Sequence, residues 1–425
     1  MAKYKAYPEY KYSGVEWLGL MPKSWTICRL KNLATIKNGQ DYKSVQADDG
    51  YPVMGSGGQF TFASKFMYDK PSVLLGRKGT IDKPLYINEP FWTVDTMYYT
   101  ELNEGFDAKY LHYLALTIQF SRYSTNTALP SMTQEHLSNY KFSVPKAESE
   151  RKKITEFLDL ETAKIDNLIE KQQILIELLK EKRQAMISHT VTKGLNPDVP
   201  MKDSGVEWLG DLPCHWQALP TKRLFRLVAE PAKINNNYEL LSVYTAIGVA
   251  PRKDLEPKGN KASTTDGYWK VRQGDIIVNK LLAWMGAVGF SNYDGVTSPA
   301  YDILRKVKDI NPKFYHYLFR LELTQREFKR WSRGIMEMRL RLYFEELGRI
   351  IMPVPPRQEQ DVIVEEIEKI EHQYSQLENI ASHQIDLLQE RRTALISAAV
   401  TGKIDVRDWV APDAQDIEAP QEATA

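Results

Sequence analysis

The chain has 425 residues, of which 43% are hydrophobic and 26% are charged. This length predicts about two to four domains, and the composition allows each to bury a core. The two cysteines, Cys28 and Cys214, cannot form a disulfide framework, and no stretch has the pattern of a signal peptide or is apolar enough to span a bilayer. These features exclude the secreted, membrane and fibrous classes and predict a cytoplasmic protein without membrane contact.

The net charge of +1 hides an uneven distribution along the chain. Residues 1–145 carry +3 and residues 201–350 carry +7. Residues 146–200 are neutral, residues 351–403 carry −4 and residues 404–425 carry −5. A basic block is expected where phosphates are bound, so the second block indicates nucleic acid as a candidate partner. The alternative is an ordinary fluctuation of surface charge.

An internal repeat is the strongest pattern in the sequence. Residues 13–19, Ser-Gly-Val-Glu-Trp-Leu-Gly, recur as residues 204–210, and each copy is followed by a proline and then by Trp25 or Trp216. Later motifs also recur, so that residues 183–192 resemble a second stretch near the end of the chain. This pattern predicts a tandem duplication of a unit of nearly 200 residues.

Each repeat is expected to have two parts. The first mixes glycine and proline with short β-branched runs such as residues 72–75 and 275–278, which predicts an α+β domain with several short strands. The second has roughly 40 residues without glycine or proline, which predicts a helix of about 60 Å. The predicted segments are two domains at residues 1–145 and 201–350, two helical spacers at residues 146–200 and 351–403, and a disordered tail at residues 404–425.

Both predicted long helices keep a seven-residue apolar repeat over about five heptads, in the same register, which favours a coiled coil. Polar residues in the seams, such as Gln172, Gln384 and Glu161, would set register and partner choice. The alternative is two surface helices, each packed on its own domain. The seam residues expected to pair the helices or to dock a partner are Leu158, Ile165, Leu168, Leu175, Leu179, Ile367, Tyr374, Leu377, Leu388 and Leu395.

Motifs for catalysis are lacking in the sequence. No phosphate-binding glycine loop, metal-ligand spacing or Asn/Asp-Pro-Pro-aromatic methyltransferase motif occurs. A lone Glu-Pro-Lys at residues 256–258 is weak evidence for a nuclease. The sequence therefore predicts a binding protein, and a self-contained nuclease or methyltransferase and a coiled-coil scaffold that binds only proteins are the alternatives.

Binding chemistry is concentrated in polar and basic loops. Residues 320–341 hold seven basic and three acidic residues among aromatic and methionine side chains, and Lys or Arg can neutralise phosphates or read guanine edges. Solvated turns and a solvated helix face are the alternatives. The candidate DNA contacts are Ser56, Gln59, Arg77, Lys78, Thr80, Arg122, Tyr123, Ser124, Asn126, Asn279, Lys280, Lys329, Arg330, Arg333, Arg339 and Arg341.

The doubled start motif and the helix ends at residues 182–188 and 391–397 resemble specificity (S) subunits of type I restriction–modification systems, as does the closing segment at residues 400–407. The resemblance covers residues 8–407 and implies two target-recognition domains, each reading half of a bipartite double-stranded DNA site. It also implies that the long helices pair as an antiparallel coiled coil with pseudo-twofold symmetry.

The resemblance further implies a non-catalytic chain that binds no cofactor of its own. Two methyltransferase (M) subunits would dock on the helices and hold S-adenosylmethionine, and restriction (R) subunits with ATP and Mg would join through them. The first start motif has no helix before it, unlike its copy at residue 204. The C-terminal helix is expected to fill that gap, which would make the arrangement circular.

Overall fold

The computed structural model describes residues 4–123, 130–234, 236–254, 265–335 and 339–411. Helices and short strands are mixed throughout these ranges, which confirms the α+β class. The chain divides into two compact units, and unit 1 consists of Met1–Gln173 with Ser382–Ala425. Unit 2 consists of Ile174–Ala381. The boundaries fall inside two long helices, so each unit contains part of both.

The strands of unit 1 are short and mostly antiparallel. They are β1 (Tyr10–Tyr12), β2 (Leu20–Pro22), β3 (Thr26–Arg29), β4 (Ala34–Asn38), β5 (Gln46–Ala47), β6 (Tyr51–Gly55), β7 (Gly58–Ala63), β8 (Ser72–Gly76), β9 (Leu85–Ile87), β10 (Trp92–Thr93), β11 (Met97–Leu102) and β12 (Lys141–Val144). The helices are α1 (Leu30–Leu33), α2 (Ala108–Ala115), α3 (Gln134–Asn139) and the first part of α4 (Glu148–Lys193).

The central sheet of unit 1 has the strand order β4-β11-β8-β9. Its strand β8 is buried along its whole length, as expected for an apolar run covered on both faces. The helix α2 contacts β8 and begins where Asp107 Oδ1 accepts a hydrogen bond from Tyr110 N at 3.0 Å. A second sheet, in the order β10-β6-β7-β5, lies at the loops that carry the predicted DNA contacts.

Unit 2 repeats this architecture. Its strands are β13 (Met201–Asp203), β14 (Asp211–Pro213), β15 (Gln217–Pro220), β16 (Phe225–Val228), β17 (Leu241–Tyr244), β18 (Gly248–Pro251), β19 (Trp269–Val271), β20 (Ile276–Asn279), β21 (Val288–Phe290), β22 (Gly295–Thr297), β23 (Tyr301–Lys306) and β24 (Ile351–Val354). The helices are α5 (Pro312–Phe319), α6 (Glu322–Trp331), α7 (Phe344–Leu347) and most of α8 (Arg357–Val400), with the last part of α4.

The sheet β16-β23-β20-β21 matches the sheet β4-β11-β8-β9 strand for strand, and the pairs β13-β14 and β15-β24 match β1-β2 and β3-β12. The two units differ in the region between these elements, where unit 2 has two short pairs, β17-β18 and β19-β22, in place of the second sheet. The tertiary topology thus supports the duplication predicted from the repeated motif, and the differing region of unit 1 includes two of the candidate contacts, Ser56 and Gln59.

Each start motif anchors the beginning of a long helix. The Trp25 indole N–H donates to Glu150 Oε1 at 2.8 Å, and the Trp216 indole N–H donates to Glu359 Oε1 at 3.1 Å. Both tryptophans are fully buried. The acceptors lie in the first turns of α4 and α8, where a carboxylate also interacts favourably with the helix dipole. A hydrogen-bonded buried tryptophan therefore ties the α+β part of each repeat to its long helix.

The residues predicted to pair the helices or to dock a partner differ in burial. Leu158, Ile165, Ile367, Tyr374 and Leu395 are buried. Leu179 and Leu388 pack against the cores of unit 2 and unit 1 respectively. Leu168, Leu175 and Leu377 are exposed, so partner docking is the part of the prediction that stays open for them.

The exposure of Leu168 has a local explanation in α4. Leu168 is followed by Ile169, so the sequence offers an apolar side chain at both neighbouring positions. Ile169 is partly buried and packs against the core of unit 1, which leaves Leu168 on the exposed side of the helix.

Contacts between the long helices occur within each unit. In unit 1, Arg392 Nε donates to Asp166 Oδ1 at 2.8 Å. In unit 2, Arg183 Nη1 lies 3.0 Å from Glu378 Oε1, and the Tyr374 hydroxyl donates to Met186 Sδ at 3.2 Å. From Arg183 to Met186 the partner residue moves from 378 back to 374, so α4 and α8 run in opposite directions in unit 2. A continuous antiparallel coiled coil along both helices stays a prediction.

The C-terminal helix completes the core of unit 1, as expected from the missing helix before the first start motif. Ile396 and Val400 of α8 belong to the same buried cluster as Trp25. The Tyr10 hydroxyl donates to the Gly402 carbonyl at 3.0 Å, and Asp405 N donates to the Lys5 carbonyl at 2.7 Å. The two ends of the described chain therefore meet in one domain.

The prediction of disorder for the tail is wrong for its first residues. Ile404 and Val406 are buried, and Trp409 packs edge-on against Phe157 at 5.5 Å between ring centroids. These apolar side chains alternate with charged ones and gain a core position on unit 1. Residues 412–425 lie outside the described residues.

Candidate nucleic-acid interface

In unit 1, three of the predicted loops come together beyond the end of β8. Arg77 N and Lys78 N both donate to the Thr96 carbonyl, and Lys78 forms an isolated bridge with Ser131. Ser56, in the turn between β6 and β7, lies beside this loop, because a Cβ placed on Gly79 would be 3.7 Å from its Oγ. The backbone is thus held on several sides while Lys78 stays exposed.

The other predicted contacts of unit 1 are only partly located. Gln59 is exposed at the start of β7, and Thr80 is half-buried in the loop after β8. Arg122 is exposed, and the ring of Tyr123 stacks near His136 at 5.6 Å between centroids. Among the described residues, no hydrogen bond or ion pair joins Arg122 to the loop after β8. Ser124 and Asn126 lie outside the described residues.

In unit 2, the matching loop after β20 has a different role from the predicted one. Asn279 is only 8% exposed, and its Oδ1 accepts a hydrogen bond from Leu281 N at 3.1 Å. Lys280 Nζ lies 3.2 Å from Asp302 Oδ1, and burial raises the pKa of that carboxyl although Lys280 opposes the shift. The prediction that these two residues contact DNA is therefore corrected: they hold the turn, because their polar groups are already bonded within unit 2.

An exposed basic groove lies next to this turn. Arg333 and Arg341 exchange backbone hydrogen bonds, each N donating to the other's carbonyl at 2.9 Å. Arg333 also forms an ion pair with Glu346. Arg339 and Arg341 are exposed, and neither has an ion-pair partner in the described part of the chain. Leu281 and Tyr343 line the same groove. These two guanidinium groups are therefore available to an anionic partner.

The remaining basic residues of this stretch divide by their contacts. Lys329 Nζ lies over the Trp284 ring at 5.1 Å, and Arg330 approaches Glu207 at 3.6 Å. Both stay exposed at the surface. Arg320, by contrast, is structural, because its guanidinium donates to five backbone carbonyls around residues 244–246 and 286–288. Burial lowers the pKa of Arg320 below its ordinary value.

The loop that Arg320 holds also contacts a buried histidine. His316 Nδ1 accepts a hydrogen bond from Phe290 N at 3.2 Å, and burial lowers its pKa to about 3. A Cβ on Gly248, which has a φ of +82°, would be 3.0 Å from His316 Cε1. The neutral imidazole therefore acts as a packing residue.

The long helices also carry exposed large apolar side chains. In unit 2 this exposed apolar surface comprises Ile174, Leu175 and Leu178 of α4 and Leu377 and Ile380 of α8. Leu175 and Leu377 were predicted to pair the helices or to dock a partner, whereas the other three were not singled out from the sequence. Side chains of this size are usually covered, and a cluster of them marks an interaction site. The signal was present as adjacent apolar pairs that a single heptad seam cannot accommodate.

Two further properties bear on the class of protein. None of the helices in the described ranges is both long and apolar enough to cross a membrane. Within the same ranges, no cluster of three or more His, Cys, Asp or Glu side chains is arranged to hold a metal ion.

The chain is similar in sequence to known DNA-specificity proteins. A model described as the type I restriction modification DNA specificity domain matches residues 22–180. The specificity subunit of the Escherichia coli type I restriction enzyme EcoBI is 22% identical, covering 95% of this chain and 90% of the relative. The EcoDI specificity subunit of the same organism is 21% identical, covering 96% and 94%.

Solved structures agree on the fold. A chain from work on complex assembly and conformational transition of the type I restriction–modification system has a TM-score of 0.63 at 13% identity, covering 90% of this chain and 99% of that chain. The HsdS subunit from Thermoanaerobacter tengcongensis has a TM-score of 0.51 at 13% identity, covering 90% and 98%. The duplicated α+β fold agrees with these structures. In sequence, the chain is similar to the type I restriction modification DNA specificity domain over residues 22–180 and to two type I specificity subunits over most of its length.

Proposed function

We propose that this chain reads a bipartite double-stranded DNA site, with one half recognised by each unit. The observation that carries the proposal is the duplication, in which the loop after β8 of unit 1 carries the exposed Lys78 and the turn after the matching strand β20 of unit 2 lines an exposed basic groove. Because the elements between the matching strands differ, the two half-sites would have different sequences. Phosphate contacts by basic side chains would position each unit, and contacts with base edges would specify the sequence.

The proposal also assigns the exposed apolar surface of the helices to partner subunits. Leu178 and its neighbours would be covered by methyltransferase (M) subunits, two for each specificity subunit, through which restriction (R) subunits join. S-adenosylmethionine would be held by the M subunits, and ATP with Mg by the R subunits. This division leaves the present chain with DNA recognition and assembly alone.

The test is selection from random duplexes by the chain in complex with its M partner. Enrichment of a split motif with a fixed spacer is expected. Enrichment of one continuous motif, or of none, would contradict the bipartite proposal. Methyl transfer or cleavage by the chain alone would instead favour the self-contained enzyme.

Removing the two exposed arginines of the basic groove, Arg339 and Arg341, tests the phosphate contacts. The double variant Arg339→Ala with Arg341→Ala is expected to bind all duplexes more weakly, and its salt slope should fall by about one for each phosphate that these arginines neutralise. Titrations of the M-containing complex over a range of salt concentrations measure this. The control is Lys308→Ala, which removes an exposed lysine just after the end of β23. It should change the salt slope little. An unchanged salt slope in the double variant would exclude these residues from the DNA contact.

A charge placed on the apolar helix surface tests the docking of M subunits. Leu178 is 55% exposed, so Leu178→Asp should leave the folded chain stable while an aspartate buried at an interface would be costly. Loss of co-purification with the M partner is expected, and far-UV dichroism should be unchanged. Val307→Asp, at a residue 52% exposed, is the matched control. Full retention of the complex in Leu178→Asp would place docking elsewhere.

A further inference from the structure

An apolar turn forms one wall of the basic groove in unit 2. Leu281 and Leu282, which follow β20, are each 39% exposed, and Met285 is exposed beside them. Leu281 lines the groove together with Arg339 and Arg341. A groove that suits a polyanion therefore also presents large apolar side chains, which in the free protein remain in contact with water.

The turn is held in one conformation by its own hydrogen bonds. Asn279 Oδ1 accepts from Leu281 N, and the Trp284 indole N–H donates to the Leu281 carbonyl at 3.0 Å. The Leu282 carbonyl accepts a hydrogen bond from Met285 N. The turn ends at Gly286, which has a φ of +87°. Leu342 N donates to the Lys280 carbonyl at 2.9 Å, which ties the turn to the segment that carries Arg341. The leucines are thus presented without the ordering cost of a flexible loop.

The chemistry of duplex DNA limits what such a wall can contact. Phosphates are polar and bind the guanidinium groups, whereas the one large apolar group on base edges in the major groove is the thymine 5-methyl. An insertion between base pairs would need a side chain that projects from the surface, but Leu281 is more than half covered by its neighbours. Leu281 lies beside Arg339 and Arg341, whose side chains have no ion-pair partner among the described residues, and this placement favours a contact with a base edge.

We propose that Leu281, supported by Leu282, is a specificity-determining residue that contacts a thymine methyl group in the half-site read by unit 2. The proposal rests on the proposed function and adds a chemical class of base contact to it. It predicts that this half-site contains at least one thymine whose methyl group contributes to affinity. Arg339 and Arg341 would flank that base as contacts to phosphate or to guanine.

The experiment replaces each thymine of the selected site in turn by uracil, which removes only the methyl group. Binding is measured with the full chain in complex with its M partner at fixed salt. One substitution should weaken binding about fourfold, the change that corresponds to roughly 0.8 kcal/mol for one buried methyl group. In Leu281→Ala the same uracil substitution should have no effect, and in Leu281→Met the effect should return.

The outcomes separate this proposal from the proposed function. Val307→Ala is the matched control, because Val307 is an exposed apolar residue beyond the far end of β23, and it should keep the methyl dependence. Binding insensitive to uracil at every thymine would overturn the assignment, as would full sensitivity to uracil in Leu281→Ala. A unit 2 half-site without thymine would also overturn it. Loss of all sequence preference in the unmodified chain would instead contradict the proposed function.

Discussion

Replacing Trp25 by alanine is expected to destabilise unit 1 by about 3–5 kcal/mol, the range measured for large aromatic residues in cores. Trp25 is fully buried in the cluster that joins the first recognition domain to the last turns of α8. Its removal leaves a cavity and also leaves Glu150 with one hydrogen-bond donor fewer. Denaturant unfolding of the full chain, with hydrogen exchange to locate the destabilised region in unit 1, measures the effect.

The control for this prediction separates packing from the hydrogen bond. Trp25→Phe keeps most of the ring volume but has no N–H for Glu150, which still accepts from the Tyr7 hydroxyl at 2.8 Å. It should therefore cost clearly less than Trp25→Ala. Trp216→Ala, in the matching position of unit 2, should show a destabilisation of similar size in that unit. A destabilisation below about 1 kcal/mol for Trp25→Ala would show that the cavity closes without this side chain.

Replacing Gly402 by alanine is the second substitution expected to have a large effect. Gly402 has a φ of +75°, and a Cβ there would lie 2.4 Å from Cγ and Cδ of Pro22. The proline ring cannot rotate away, because it is part of the backbone of β2. The left-handed conformation and the overlap together should cost about 2 kcal/mol or more and loosen the attachment of the C-terminal segment to unit 1. Proteolysis of that segment, with thermal unfolding of the full chain, reports the change.

A second glycine provides the matched control. Gly14 has a φ of +70°, close to that of Gly402, but nothing lies within 4 Å of a Cβ placed on it. Gly14→Ala should therefore carry only the conformational cost, about 1 kcal/mol. Equal destabilisation by the two variants would mean that the contact with Pro22 relaxes freely and does not close the domain.

The positions of the candidate DNA contacts show which of them could be selected correctly from residue type and loop position alone. Arg77, Lys78, Arg339 and Arg341 were chosen as charged residues in loops, and the structure places them in backbone-supported loops or at an exposed groove. Asn279 was chosen on the same grounds but is buried. The sequence cannot separate these cases, because a polar side chain in a loop can bond either to its own backbone or to a ligand.

The duplication, the α+β class and the lengths of the two helices could be derived from the sequence by itself. These features depend on repeated motifs, on glycine and proline punctuation and on a seven-residue period, all of which are local properties of the chain. The register of the seam could not be derived in this way, since Leu168 and Ile169 are equally apolar and only the opposing helix determines which is buried.

Only the tertiary structure determined which side chains are available to bind a ligand. In the sequence, Arg320 is one of seven basic residues in the stretch 320–341 and cannot be told apart from the others. In the structure, its guanidinium donates hydrogen bonds to five backbone carbonyls and is therefore not available to a ligand. Leu281 has no signal in the sequence, because an apolar residue after a strand is usually core. Its exposure beside Arg339 and Arg341 depends on distant segments that meet in unit 2. Side-chain availability is a property of those long-range contacts, whereas fold class is a property of local pattern.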